Sequence, residues 1–190
     1  MERVTPSEDT DAELVARCRR GDEDAFDALV LRHQQRALNV AFQLLRNHED
    51  ATEVAQDAFV AVYRNLERFR GDCQFTTWLH QIVVNLARNK NRWWKRRGRQ
   101  KAVALDDPQT AQIAGPATAP DVEVELSEFM QRLMEKMGEL PQEFREALVL
   151  RNVENMSYHE IAIALKCPVG TVKSRLARAR DALREQMNHD

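Results

Sequence analysis

Apolar residues along this chain recur at spacings of three and four, the period of amphipathic helices, and no segment holds the two-residue alternation of a half-buried strand. Leu14, Val15 and Cys18 mark a short first helix, with Asp11 as its candidate cap and Gly21 as its stop. Asp22 can cap a long second helix over about Glu23 to Arg46, whose stripe runs through Phe26, Leu29, His33, Ala37, Val40 and Leu44. Asn47 and His48 interrupt it. A third helix, Glu49 to Arg68, turns Val54, Ala58, Phe59, Val62 and Leu66 to one side. A polar loop from Arg70 to Phe75 follows, and Thr76 opens a fourth helix through Leu79, Ile82, Val83 and Leu86 that runs on into a basic tail.

The periodicity lapses beyond Gly98. Ala102 to Ala119 is mostly Ala, Thr and Gln, broken by Asp-Asp-Pro and Gly-Pro, a composition that cannot bury a core. It resumes with Leu126, Met130, Leu133, Met134 and Met137, and again with Phe144, Ala147, Leu148 and Leu150, where Pro141 suits a first helical turn. The pattern predicts an all-α fold of two helical domains, residues 10–97 and 125–187, joined by a flexible linker over 98–124.

The end of the second domain is the most specific stretch. Ser157-Tyr158-His159-Glu160 fits a capping box, a hydroxyl with a carboxylate three residues on. The short helix it opens turns Ile161, Ala162 and Leu165 inward, and Lys166-Cys167-Pro168-Val169-Gly170 breaks it. A last helix begins near Thr171, with Val172, Leu176, Ala179 and Leu183 on one face and Lys173, Ser174, Ala177 and Arg178 on the other. A basic face of this kind fits a solvated surface as well as a major groove. The capped helix and tight turn just before it make the pair a helix-turn-helix and favour DNA.

Composition narrows the classes. The chain has 190 residues, 43% hydrophobic and 31% charged, ordinary values for a soluble helical protein. No apolar run can span a membrane and the N-terminus lacks the apolar core of a signal peptide, so a cytoplasmic location is expected. Cys18, Cys73 and Cys167 are scattered, which suggests neither a disulfide framework nor a zinc site. The net charge of -2 conceals a separation: residues 61–101 hold 11 basic and 2 acidic side chains, whereas residues 1–60 hold 7 basic and 13 acidic.

Eight of those basic residues fall between Arg88 and Lys101 without one acid, around Trp93 and Trp94 and just beyond Asn85 and Asn89. Cations neutralise phosphates, asparagines bond base edges, and aromatic rings stack on unpaired bases. Phe69, Phe75 and Trp78 flank a loop containing Gly71; they are compatible with a hydrophobic core and with a pocket for an extruded base. The third helix carries Glu49, Glu53 and Asp57 in a ridge, a solvated face or a docking face for a basic partner, and not the convergent set a metal needs. No phosphate loop, nucleophile elbow or zinc-protease motif occurs; no cofactor, metal or catalytic residue is expected.

Taken together, these motifs resemble the extracytoplasmic-function sigma factors of bacteria. Arg20-Gly21-Asp22 with Ala25-Phe26, Ala55-Gln56-Asp57-Ala58-Phe59, Phe69-Arg70-Gly71-Asp72, Phe75-Thr76-Thr77-Trp78-Leu79 with Asn85, Leu140-Pro141, and Pro168-Val169-Gly170-Thr171-Val172-Lys173-Ser174-Arg175 match in order and spacing. The resemblance implies that Glu53, Gln56, Asp57 and Phe59 dock on the clamp helices of core RNA polymerase, with the second domain near its flap. It implies that Phe69, Arg70, Phe75, Thr76, Thr77, Trp78, Asn85, Arg88, Asn89 and Arg92 bind the minus-ten element of promoter DNA, with Asn85 and Asn89 where bases are read and Arg88, Lys90 and Arg92 on the backbone. It assigns the minus-thirty-five element to Thr171, Lys173, Ser174, Arg175 and Arg178, and it brings the expectation of an anti-sigma partner. An autonomous helix-turn-helix regulator would need no such basic, aromatic first domain. A helical adaptor without a nucleic-acid role would leave the cationic block unexplained.

Overall fold

A computed structural model of the chain describes residues 9–98 and 120–188, with side chains throughout except at 120–128 and 130. Within these residues the fold is all-α: α1 (Asp11–Cys18), α2 (Glu23–Leu45), α3 (His48–Asn65) with a 3₁₀ turn at Leu66–Arg68, α4 (Phe75–Arg96), α5 (Pro120–Glu139), α6 (Gln142–Asn152), α7 (Tyr158–Leu165) and α8 (Val169–Asn188). Residues 99–119 of the expected linker lie outside the described residues, and α5 begins at Pro120, inside the stretch expected to be linker.

Local chemistry sets the boundaries. Thr10, rather than Asp11, caps α1: its hydroxyl accepts from the Glu13 amide at 3.3 Å and the Glu13 carboxylate accepts from the Thr10 amide at 2.6 Å. Asp11 falls one residue inside, and its carboxylate reaches Arg32 at 2.8 Å and His33 at 2.9 Å on α2. Asp22 caps α2 as expected. The helix expected from Thr76 starts at Phe75, and Pro141 stands just before α6 at its N-cap.

The stripes read from the sequence for α1 to α4 and α6 to α8 are the ones that pack, while Leu126 and Met130 of the α5 stripe lie outside the residues whose side chains are described. Leu14, Leu29, Val40, Val62, Leu79 and Val83 are almost completely buried where α1, α2, α3 and α4 meet. Leu148, Leu150, Ile161, Val172 and Leu176 continue the same buried cluster among α6, α7 and α8. Each such aliphatic side chain removed from water contributes roughly 1.5–3 kcal/mol.

The two halves also pack on each other, α4 against α7 and α2 against α6. Arg145 of α6, 6% exposed, is spent on carbonyls: it donates to those of Met137 (2.9 Å), Leu140 (2.9 Å) and Gly138, and across the seam to Leu44 near the C-terminus of α2 (3.2 Å). A guanidinium suits a helix C-terminus, where the carbonyls carry partial negative charge. Burial nevertheless pushes the Arg145 pKa below its ordinary value, with repulsion from Arg46 adding to the shift.

Candidate nucleic-acid interface

The helix-turn-helix is built from its caps inward. Ser157 accepts from the Glu160 amide at 3.2 Å while the Glu160 carboxylate accepts from the Ser157 amide at 2.8 Å, which fixes the start of α7. α7 ends at Lys166 in the left-handed region, φ +53°, a conformation glycine would reach with less strain. The Cys167 amide then bonds back to Ala162 at 3.0 Å, and Pro168 leads into α8. Val172, Leu176 and Ala179 lie inward, so Lys173, Ser174, Ala177 and Arg178 form the outward face that periodicity placed there. Thr171 is half-buried, its carbonyl accepting from the Ser174 hydroxyl at 3.0 Å. Arg175 is half-buried too and turns toward α6, 3.6 Å from the Glu143 carboxylate and 3.8 Å from Cys167 Sγ.

On α4 the cations divide. Asn89 and Arg92 are exposed, with Arg92 donating to Asn89 at 2.5 Å. Asn85 and Arg88 are half-buried beside α6 and α7, and Arg88 is held by both oxygens of Glu146 at 2.8 and 2.6 Å. That fork raises the Arg88 pKa above its ordinary value. Lys90, expected on the DNA backbone, turns to α3 and pairs with Asp50 at 3.0 Å and Glu53 at 2.5 Å. Trp93 stands beside these groups, its ring 4.1 Å from the Arg97 guanidinium and 5.9 Å from Lys90 Nζ.

The aromatic residues around the loop form one cluster. Phe69 stacks on Trp78 with ring centroids 4.7 Å apart, and Phe75 meets both rings edge-on. Phe75 and Thr77 are buried, Thr76 half-buried and Arg70 exposed, so the stretch supplies both core and surface.

On α3, Glu53, Gln56 and Asp57 are exposed, while Phe59 points into the core at 8% exposure. The exposed apolar groups of that face are Val60 and Tyr63, at 47% and 59%, the latter edge-on to Phe26 of α2 at 5.0 Å. Sequence reading did not single out Val60 as surface; its i, i+3 and i, i+4 spacing from Asp57 and Gln56 was the available signal, and Tyr63 follows Val60 by three.

Asn85, Arg88 and Arg92 of α4 line a cleft of about 500 Å³ with Gln142, Glu143 and Glu146 of α6, Lys166, and Arg175 of α8. Among the described residues no three metal-ligating side chains converge, and no helix is long and apolar enough to cross a membrane.

Comparison with known proteins defines the class. Residues 29–100 match the family model described as Sigma-70 region 2, and residues 130–183 the one described as Sigma-70, region 4. The RNA polymerase sigma-H factor of Pseudomonas aeruginosa is 37% identical over 182 residues, covering 93% of each chain. The ECF RNA polymerase sigma-E factor of Escherichia coli K12 is 36% identical over 177 residues, covering 92% of each. Among solved structures, CnrH in complex with the cytosolic domain of CnrY aligns at a TM-score of 0.71 and 28% identity over 96% of this chain and 99% of that one. The chain belongs to the sigma-70 family and, within it, to the extracytoplasmic-function sigma factors.

Proposed function

We propose that the chain recruits core RNA polymerase to a set of promoters by reading two DNA elements with its two helical halves. The observation that carries this is the pairing, in one chain, of a capped helix-turn-helix with an outward basic face and a second helix, α4, bearing asparagines and arginines. On this reading Lys173, Ser174 and Arg178 enter the groove of the minus-thirty-five element, with Thr171 and Arg175 at its margin. Asn85, Asn89, Arg88 and Arg92 meet the minus-ten element, where Phe69, Phe75 and Trp78 with Arg70, Thr76 and Thr77 shape the loop that holds an unpaired base. Glu53, Gln56 and Asp57, joined by Val60 and Tyr63, face the polymerase clamp helices. Phe59 supports that helix from inside. The chemistry of initiation belongs to the polymerase, so the chain itself acts in the cytoplasm as a binding subunit and not as an enzyme.

A protein antagonist completes the reading. CnrH, similar to this chain over nearly its whole length, was solved in complex with the cytosolic domain of CnrY. An anti-sigma factor that covers α3, the α4 face, or both, fits the exposed acidic and cationic surfaces described above.

In vitro transcription from a genomic fragment library tests the proposal. Core polymerase with this chain should initiate at new sites that share two spaced elements. A folded chain that binds duplex DNA by itself, yet adds no new start to core polymerase, would reverse it in favour of an autonomous regulator.

A further inference from the structure

The basic end of α4 sets two tryptophans side by side, and the promoter reading leaves both without a task. Their surroundings differ. Trp94 meets Trp93 edge-on with 6.5 Å between ring centroids, and its indole nitrogen is shielded from water. Trp93 is half-buried and lies between two cations of its own helix. Lys90, one turn before it, places Nζ 5.9 Å from the centre of the ring and is itself tied to Asp50 and Glu53 of α3. Arg97, one turn after it, places its guanidinium carbon 4.1 Å from the same centre. Arg97 is exposed and caps the helix, its amide bonded to the Trp94 carbonyl at 3.1 Å. A guanidinium over an indole is held by the negative face of the ring. The N–H groups in its own plane stay free to fork onto two oxygens of a phosphate. Arg92, Lys95 and Arg96 are exposed around it, so a polyanionic strand is the ligand that this end of α4 fits.

We propose that Trp93 is a positioning residue: it holds the Arg97 guanidinium so that its N–H edge meets a phosphate of promoter DNA at the C-terminal end of α4. This rests on the reading of α4 as a DNA-contacting helix. The contact lies eight residues beyond Asn89, about 12 Å along the helix axis. A phosphate contact carries no base preference, so the pair adds affinity at every promoter and selectivity at none. Holding the arginine before DNA arrives removes part of the rotamer freedom that binding would otherwise freeze. Lys90 takes a different part from the one its sequence position suggested. Tied to α3, it braces the near side of the ring instead of contacting DNA.

The test uses holoenzyme, the full chain with core polymerase, binding promoter duplexes over a range of salt concentrations. Arg97→Gln should weaken all promoters alike and lower the salt slope by about one. Trp93→Leu should weaken them about two- to fivefold, as loss of an exposed cation–π contact does, and should add nothing further beside Arg97→Gln. Arg97→Lys keeps the charge without the plane, so affinity should fall while the salt slope stays. Trp93→Phe keeps an aromatic face; it should lose about twofold, again with nothing added beside Arg97→Gln, and it replaces Trp93→Leu if that variant fails to fold. Additive losses in the double variant would overturn the positioning role, because Trp93 would then touch DNA itself. Unchanged affinity in the folded Trp93 variants would overturn it as well. Wild-type holoenzyme without affinity for any promoter duplex rejects the promoter reading, whereas binding that ignores Trp93 and Arg97 rejects this inference alone.

Discussion

Lys90 of α4 sits between Asp50 and Glu53 of α3, its Nζ 3.0 Å from one carboxylate and 2.5 Å from the other. A cation on the helix assigned to DNA is thus bound to the helix assigned to polymerase, and the two surfaces of the first domain share a joint. Burial by itself would lower the Lys90 pKa, but the bonds to Glu53 and Asp50 outweigh it and hold the pKa above the ordinary value. A raised pKa means stability fully present below the unfolded value and lost as pH climbs through the folded one, beyond 10.5.

Lys90→Met should therefore cost about 1–3 kcal/mol, because it leaves Asp50, 8% exposed, without its cation. Glu53→Gln should cost less than about 1 kcal/mol, since that side chain is 58% exposed and the pair is screened. Urea unfolding of both variants gives the comparison. If Glu53→Gln proves the more damaging, the joint is held by the outer carboxylate and not by Asp50.

Much of this was legible in the sequence, for reasons that differ from place to place. Val172, Leu176 and Ala179 could be read as a buried face because a helix repeats every 3.6 residues and nothing else competes for that pattern. Ser157 and Glu160 could be read as a capping box because both partners lie within one turn. Thr10 was passed over because Asp11 is an equally good capping residue, and only backbone geometry chooses between them. Arg88 and Lys90 looked like neighbours on one DNA-facing helix. Their partners, Glu146 and Asp50, lie 58 and 40 positions away, and local pattern carries no trace of such pairings. The inward turn of Phe59 follows the stripe it shares with Val54, Ala58 and Val62, and it conflicts only with the place on the polymerase-facing surface that the resemblance implied for it.

Arg145 should tolerate neither methionine nor lysine. Its guanidinium serves four carbonyls, of Met137, Gly138, Leu140 and Leu44, from a nearly buried position. Met would leave those acceptors without a donor, a loss of about 2–4 kcal/mol. Lys, a single point of charge, cannot reproduce the planar fork and should recover only part of it. Thermal unfolding checks both. Loss in Arg145→Met with full recovery in Arg145→Lys would mean that charge, not fork geometry, holds the α5–α6 corner.

Lys166 caps α7 with a positive φ, a strained choice for a residue with a Cβ. Lys166→Gly should relieve that strain and gain up to about 1 kcal/mol, reduced by the greater freedom of the unfolded chain. Lys166→Val should lose more than about 1 kcal/mol, since a β-branched residue at this φ is worse still. Chemical denaturation ranks the three. A glycine variant less stable than wild type would mean that the lysine side chain contributes more at the mouth of the cleft than its backbone costs.

On α8 the exposed Arg178 and Lys173 should separate specificity from affinity. Arg178→Ala should cost about 1–3 kcal/mol at the preferred upstream element and relax preference at one base position, as loss of a bidentate base contact does. Lys173→Ala, acting on phosphate, should weaken all sequences alike and lower the salt slope of binding by about one. Holoenzyme binding to promoter variants over a range of salt concentrations measures both. Equal, sequence-independent losses would make Arg178 a backbone contact as well.

His80 carries the clearest pH signature. Burial, followed by repulsion from His33 and Arg36, lowers its pKa from 6.5 to about 4. Glu154, whose Oε2 lies 3.4 Å away, is shifted upward by its own burial, against the opposing pull of Arg36 and His33. The signs differ. A depressed histidine binds its proton less readily in the folded chain than in the unfolded one, so its contribution is whole above pH 6.5 and drains away as pH falls toward about 4. A raised carboxyl does the opposite, since the folded chain takes up a proton before the unfolded one does, and acid favours folding through that group. His80→Gln removes the first effect and keeps a hydrogen-bonding side chain at the seam. Stability of wild type should fall between pH 6.5 and pH 4 by an amount on the order of 3 kcal/mol from this group. The variant should show a much flatter profile over that interval. Parallel urea titrations at several pH values would measure the difference, and profiles of equal slope would show that His80 does not hold its neutral form in the folded chain.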